Sequence, residues 1–234
     1  MFYSLNEMVF KYDRFHLDNW REYILLILLG SLLTLSIEAV GQILAPSWIY
    51  AFRFFTQESF YTSMAAWILF IPATVESYLF VKNLMKPKLR DIKNSVLMFV
   101  IFIAGLLFTG IGIFWGSPVY QGLPFCFFIL GISFIADTFV YIIIRRSIYM
   151  EALHSLRYAL CIVLSAFLIG FTVEFINTFH NAWSYVNVPL LELTILNVPV
   201  PILMGWIPLV VIWLEVYYLT VYLYIKKRDK KKFI

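Results

Sequence analysis

Residues 94–114 read NSVLMFVIFIAGLLFTGIGIF, a stretch without a single Asp, Glu, Lys or Arg. About 20 mostly apolar residues in a helix match the hydrocarbon thickness of a bilayer. Working outward from this stretch, five further runs have the same character: about 22–44, 62–83, 123–144, 158–178 and 203–225. The expected fold is therefore all-α, a polytopic membrane protein with six transmembrane helices. The whole of 1–234 reads as one integral membrane domain.

The composition agrees. The 234-residue chain is 62% hydrophobic, 19% aromatic and 14% charged, with a mean hydropathy of +0.84. Soluble domains average about 45–50% apolar and about 25% charged residues. A soluble enzyme, a nucleic-acid-binding domain and a disordered chain are excluded on this ground. The first 21 residues are polar and mixed in charge, so the first apolar run reads as a retained helix, not a cleaved signal. Cys126 and Cys161 fall in separate apolar runs and are expected to be unpaired core thiols.

The net charge of +4 is distributed as in a membrane protein. With six spans and a cytoplasmic N-terminus, every Lys and Arg except Arg53 falls in 1–21, at Lys82, in 84–93, in 145–157 or in the basic tail 226–234. Such segments mark the cytoplasmic side, so both termini are expected to be cytoplasmic in a cell-membrane protein. The outer connections, 45–61 and 179–202, carry Trp48, Tyr50, Phe52, Phe54, Phe55, Phe60, Trp183 and Tyr185. They are expected either to cover the bundle or to form a plain interfacial aromatic belt.

Two parts of the chain repeat. Glu38 precedes Trp48-Ile-Tyr50, then Trp67-Ile, Glu76 and Tyr78; Glu174 precedes Trp183-Ser-Tyr185, then Trp206-Ile, Glu215 and Tyr217. In both, the acid lies nine residues beyond the tryptophan and the tyrosine two further on. A fainter middle copy runs through Pro118, Tyr120, Phe128, Asp137 and Tyr141. Units of two helices, about 22–83, 94–144 and 158–225, all enter the membrane in the same direction. They predict parallel repeats about an axis along the membrane normal.

Five acids interrupt the apolar runs: Glu38, Glu76, Asp137, Glu174 and Glu215. An acid at the bilayer centre costs roughly 2.5–3.5 kcal/mol on insertion scales and normally faces the bundle interior, where it marks a function. No Lys or Arg lies in the interior of a run to pair with them, Lys82 standing at a run's boundary. At about 1.5 Å per residue, Glu38 and Glu174 lie within one to two turns of the outer surface, and Glu76, Asp137 and Glu215 roughly 18–21 Å below it. Gln42, Asn177 and His180 neighbour the outer level. The plain alternative is that the acids serve as interhelical hydrogen-bond glue, worth about 0.6 kcal/mol per contact.

Several classes lack their residues here. No intramembrane lysine can form a retinal Schiff base, and the three histidines, at 16, 154 and 180, sit at or beyond run ends. Asp-rich diphosphate motifs and Gly-rich phosphate loops are missing, so no metal, nucleotide or redox cofactor is expected. Gly105, Gly110, Gly112, Gly131 and Gly170 are expected to allow close helix approach. Pro72, Pro201 and Pro208 are expected to kink helices near the acids.

The block Glu174-Phe-Ile-Asn177, Trp183-Ser-Tyr185, Pro189, Val198-Pro199, Trp206 and Glu215 resembles the membrane carotenoid cyclases of the lycopene cyclase domain type and the related bisanhydrobacterioruberin hydratases. It is also similar to uncharacterised bacterial six-helix proteins. Where the cyclases carry P-x-E-E, this chain has Pro72 and a single Glu76. The resemblance implies carotenoid biosynthesis: an isomerase or lyase reaction in which a carboxylic acid protonates a polyene and cyclisation or hydration follows. Glu76 and Glu215 would then be acid and counter-charge, with Glu38, Glu174 and Asn177 orienting them or relaying protons and Asp137 a further catalytic candidate. Trp67, Trp206, Tyr78, Tyr217, Trp183 and Tyr185 would wall an isoprenoid or lipid substrate, stabilising a cation by cation–π attraction. The remaining readings are a proton- or cation-coupled transporter and a membrane scaffold, with self-association open in each case.

Overall fold

The computed structural model describes residues 20–44, 48–50, 57–87, 92, 94–115, 122–181, 183–186 and 188–231. Long helices occupy all six expected positions: α1 (Trp20–Leu44), α2 (Gln57–Met85), α3 (Ser95–Phe114), α4 (Gly122–Ile144), α6 (Leu156–His180) and α7 (Val200–Lys231). A short helix, α5 (Ile148–His154), stands between α4 and α6. Among the described residues, four helices are long and apolar enough to cross a membrane, within α3, α4, α6 and α7, and α1 adds a shorter apolar stretch, Ile24–Ala39. These helices are those of an integral membrane protein.

Helix α7 is the centre, packed against α4, α6, α1 and α2. Its Val210, Val211, Ile212, Trp213 and Leu214 are all buried, with Ile71 and Val75 of α2 and Cys161 and Ala166 of α6 in the same core. Helix α3 packs on α4 and turns Val96, Phe99 and Leu107 outward. Uncovered apolar side chains on that scale belong against lipid. Glycine makes the α3–α4 contact close: a Cβ on Gly131 would lie 2.4 Å from the Thr109 amide nitrogen, and one on Gly112 2.6 Å from that of Phe128. Gly170 makes the same kind of room for the Trp206 ring, whereas Gly110 faces open space and has no such role.

The 145–157 segment folds back as α5 with Ile148, Met150 and Glu151 buried, and two expectations need correction. Pro72 and Pro208 do lie inside helices, but Pro201 sits in the first turn of α7, where no helical amide hydrogen bond is lost. Cys161 is buried as expected, whereas Cys126 lies exposed on α4; both are free thiols.

At the other end of the bundle the two W-x-Y segments meet. Strand β1 (Trp48–Tyr50) pairs antiparallel with β2 (Trp183–Tyr185), Trp48 opposite Tyr185 and Tyr50 opposite Trp183. A second pair, β3 (Thr194–Ile195) and β4 (Val198–Pro199), is a hairpin turned by Leu196 and Asn197, both at positive φ (50° and 66°). Two left-handed residues in a two-residue loop are the signature of a type I′ turn. The hairpin buries Val198 completely and leads straight into α7. The residues Arg53, Phe52, Phe54, Phe55, Pro118 and Tyr120, and the side chains of Trp48, Tyr50, Phe60, Trp67 and His180, lie outside the described part.

Candidate functional site

Buried polar groups gather at two levels. The first lies where α4, α5, α6, α2 and α7 meet. Asp137 of α4 is fully buried; Ser147 donates its hydroxyl to Oδ2 at 2.5 Å, and the Ile148 amide donates to Oδ1 at 2.6 Å. Ser147 also accepts from the Met150 amide, so one serine caps α5 and ties it to Asp137. This arrangement is what draws the 145–157 segment into the bundle.

The same segment delivers a buried ion pair. Arg146 donates from Nε to Glu151 Oε1 at 2.7 Å and from Nη2 to Oε2 at 3.0 Å. Its guanidinium lies 4.3 Å from the Tyr218 ring centroid and reaches the Tyr158 hydroxyl at 3.5 Å. Tyr218 donates to Tyr78 at 3.1 Å and Tyr78 to Tyr158 at 3.4 Å, linking α7, α2 and α6 through phenols. Lys82 adds its ammonium 5.9 Å from the Tyr78 ring centroid. Burial works against the Arg146 charge, but the Glu151 carboxylate, with Tyr218 and Tyr158, holds the guanidinium well above its ordinary range. Burial likewise pushes the Tyr149 phenol up, although it shares a hydrogen bond with Ser133.

Glu215 of α7 stands apart in this cluster. It is 2% exposed, and no N–H or O–H group among the described residues donates to either carboxyl oxygen. Asp137 lies within hydrogen-bonding reach of it, so one shared proton can join the two acids, and Arg146 and Glu151 act on it electrostatically. The cluster holds three carboxyl groups (Asp137, Glu151, Glu215) against two cations (Arg146, Lys82).

The second level lies under the β strands. Glu174 of α6 is 3% exposed and accepts two hydrogen bonds on Oε1, from the Tyr185 hydroxyl at 2.6 Å and the Trp206 indole at 3.1 Å. The Trp183 indole donates to the Tyr185 oxygen at 3.0 Å. Asn177, one turn from Glu174, clamps the Trp183 backbone from both sides: its amide donates to the carbonyl at 2.9 Å and its oxygen accepts from the N–H at 3.1 Å. An open cleft of about 380 Å³ borders this level, lined by Glu174, Asn177, Thr178, Asn181, Tyr185, Leu191, Asn197 and Pro199. Between the levels, Phe70, Trp206 and Trp213 pack ring on ring at 5.6–5.9 Å, and Trp213 donates to Thr34.

Five expected site residues, Glu174, Asn177, Trp183, Tyr185 and Trp206, thus form one network, and Asp137 and Glu215 share another. Tyr78 joins the phenol chain, and Tyr217 packs against Tyr218 at 5.5 Å. Glu38 is buried on α1. The pairing of Glu76 with Glu215 is not present: Glu76 is exposed, on the same outward face of α2 as Phe80 and Leu84. The expectation that the acids have no cation near them is corrected by Arg146, a flank residue that folds inward. Arg146, Glu151, Tyr158, Tyr218 and Lys82 were not singled out from sequence. The available signal was Glu151, an acid in a basic segment and surrounded by Ile148, Tyr149 and Met150.

Among the described residues, no group of three or more His, Cys, Asp or Glu is placed to hold a metal ion. The chain matches no protein-family model, no curated protein and no solved structure. The chemistry of the two levels therefore carries the functional argument.

Proposed function

We propose that this is a proton- or cation-coupled membrane transporter that spans the bilayer six times with both termini cytoplasmic. Glu215 is the group that takes up and releases the coupling proton. One observation carries this reading: a fully enclosed carboxyl in the core of α7 to which no N–H or O–H group among the described residues donates, set beside a second buried acid. A bare buried carboxylate costs several kcal/mol unless it is neutralised or paired, so such a group holds a proton or a cation. Intramembrane acids of this kind form proton relays in pumps and transporters. The antiparallel pairing of one W-x-Y with the other supports the parallel-repeat reading. A two-fold axis between Ile49 and Ser184 would exchange Trp48 with Trp183 and Tyr50 with Tyr185.

The test is proton flux into proteoliposomes under an imposed potential, read by a trapped pH dye. Wild-type protein should acidify the lumen, and Glu215→Gln should abolish the signal while remaining folded. Equal flux from protein-free and protein-containing vesicles would sink the reading.

A second reading keeps a specific observation of its own. Phe70, Trp206 and Trp213 pack together beside Glu174, as aromatic stabilisers of a carbocation would. It predicts a new pigment in a lycopene-accumulating host, of equal mass for cyclisation or heavier by one water for hydration. Glu174→Gln should remove it.

A further inference from the structure

We infer that the cleft beside Glu174 is a binding site for a small primary ammonium group. The inference rests on the unused hydrogen-bonding capacity of its lining and is independent of the transport reading at Glu215. The Tyr185 and Trp206 bonds to Glu174 both fall on Oε1, and the residue lines the cleft. Among the described residues, no cation pairs with this carboxyl. The donors around it are committed: the Tyr185 hydroxyl to Glu174, the Asn177 amide to the Trp183 carbonyl, and the Thr178 hydroxyl to the Phe175 carbonyl. What remains for a ligand is acceptor capacity on Glu174 and Thr178, with the carboxamides of Asn181 and Asn197, which can accept or donate.

Among the described residues the lining has one carboxyl, spare acceptors and no Lys or Arg, which suits a cation rich in N–H. A primary ammonium supplies one charge and three donors, and charge-assisted bonds to a carboxylate are the strong kind. At about 380 Å³ the cleft is near the small end of ligand sites, which run about 300–1,000 Å³. Its rim includes the backbone-strained Asn181 and Asn197, at φ 47° and 66°. Asparagine tolerates that conformation better than most residues. The ammonium can arrive free in solution or as the headgroup of an aminophospholipid.

The experiment uses the full chain in nanodiscs of phosphatidylcholine, which offers no N–H, titrated with ethanolamine. Tryptophan fluorescence is the readout, because Trp183 and Trp206 both belong to the Glu174 network. Saturable quenching with a Kd on the order of 1 mM assigns a free-amine site. If ethanolamine has no effect but discs containing phosphatidylethanolamine give the fluorescence change, the lipid headgroup is the source. Tetramethylammonium, which has charge but no N–H, should compete poorly in either case. Glu174→Gln should weaken binding at least about tenfold. Asn197→Gly keeps the left-handed turn on an exposed residue, so it tests the rim without endangering the fold; it should weaken binding several-fold. A flat response to both ethanolamine and the aminophospholipid overturns the inference, as does unchanged binding in a folded Glu174→Gln protein. Neither result alters proton flux through Glu215, so the two proposals fail separately.

Discussion

Replacing Arg146 by methionine removes the cation that anchors the α4–α5–α6 junction. Both partners of its ion pair are nearly enclosed, with side chains 7% and 6% exposed, and the contact is two-pronged at 2.7 and 3.0 Å. Removing one member of such a pair leaves an uncompensated buried charge on Glu151, at a cost of about 3–5 kcal/mol. The contact with Tyr218, worth about 2 kcal/mol where desolvated, disappears in the same change and is part of that figure. At about 1.4 kcal/mol per tenfold, the unfolding equilibrium should shift by roughly two to three and a half powers of ten. Reversible unfolding in mixed detergent micelles, followed by circular dichroism, measures this. The double variant Arg146→Met/Glu151→Leu should recover most of the loss, since a buried pair replaced by apolar residues of similar volume is often neutral. A solvated surface pair would instead be worth about 0–1 kcal/mol. A loss of that size for Arg146→Met, or a double variant no better than the single one, would refute the claim that this segment is folded into the bundle.

Three further outcomes follow from the packing. Gly131→Ala should destabilise by about 1–3 kcal/mol through overpacking against the α3 backbone, whereas Gly110→Ala, facing open space, should be neutral or gain up to about 1 kcal/mol; the same unfolding assay separates them. Glu76→Leu should leave stability unchanged or improve it, because the residue is exposed and makes no ion pair or hydrogen bond among the described residues; a large loss would mean that a partner covers that face. The Tyr149 phenol lies above its ordinary value of 10.0 because burial favours the neutral form. Its contribution is therefore complete below pH 10 and fades as pH rises past the unfolded value. Tyr149→Phe should blunt part of the alkaline loss of stability, read as the difference between two pH titrations of unfolding.

The acids divide according to what local pattern can reveal. Glu174, Asn177, Trp183, Tyr185 and Trp206 were legible together because a repeated spacing marked them and their network is assembled from one helix, the loop after it and the next helix. Glu76 had the same spacing credentials as Glu215 but points outward. Both helices are apolar on nearly every face, so no amphipathic stripe distinguishes inside from outside. The ion pair was invisible for a related reason. Basic residues at the end of an apolar run are the ordinary mark of a membrane boundary, and only the return of α5 against Asp137 turns Arg146 inward.

The sequence by itself determined where the long helices lie and that they belong in a membrane, because length and hydropathy are local properties that a bilayer reads one segment at a time. It also determined which acids would be costly to place. The tertiary structure alone decided which of those acids are enclosed, that Arg146, Glu151 and three tyrosines surround the inner pair, and that two W-x-Y segments more than 130 residues apart form one sheet. Those outcomes depend on the rotation of each helix about its axis and on contacts between distant segments. In a chain this uniformly apolar, only packing and the need to satisfy buried polar groups set them.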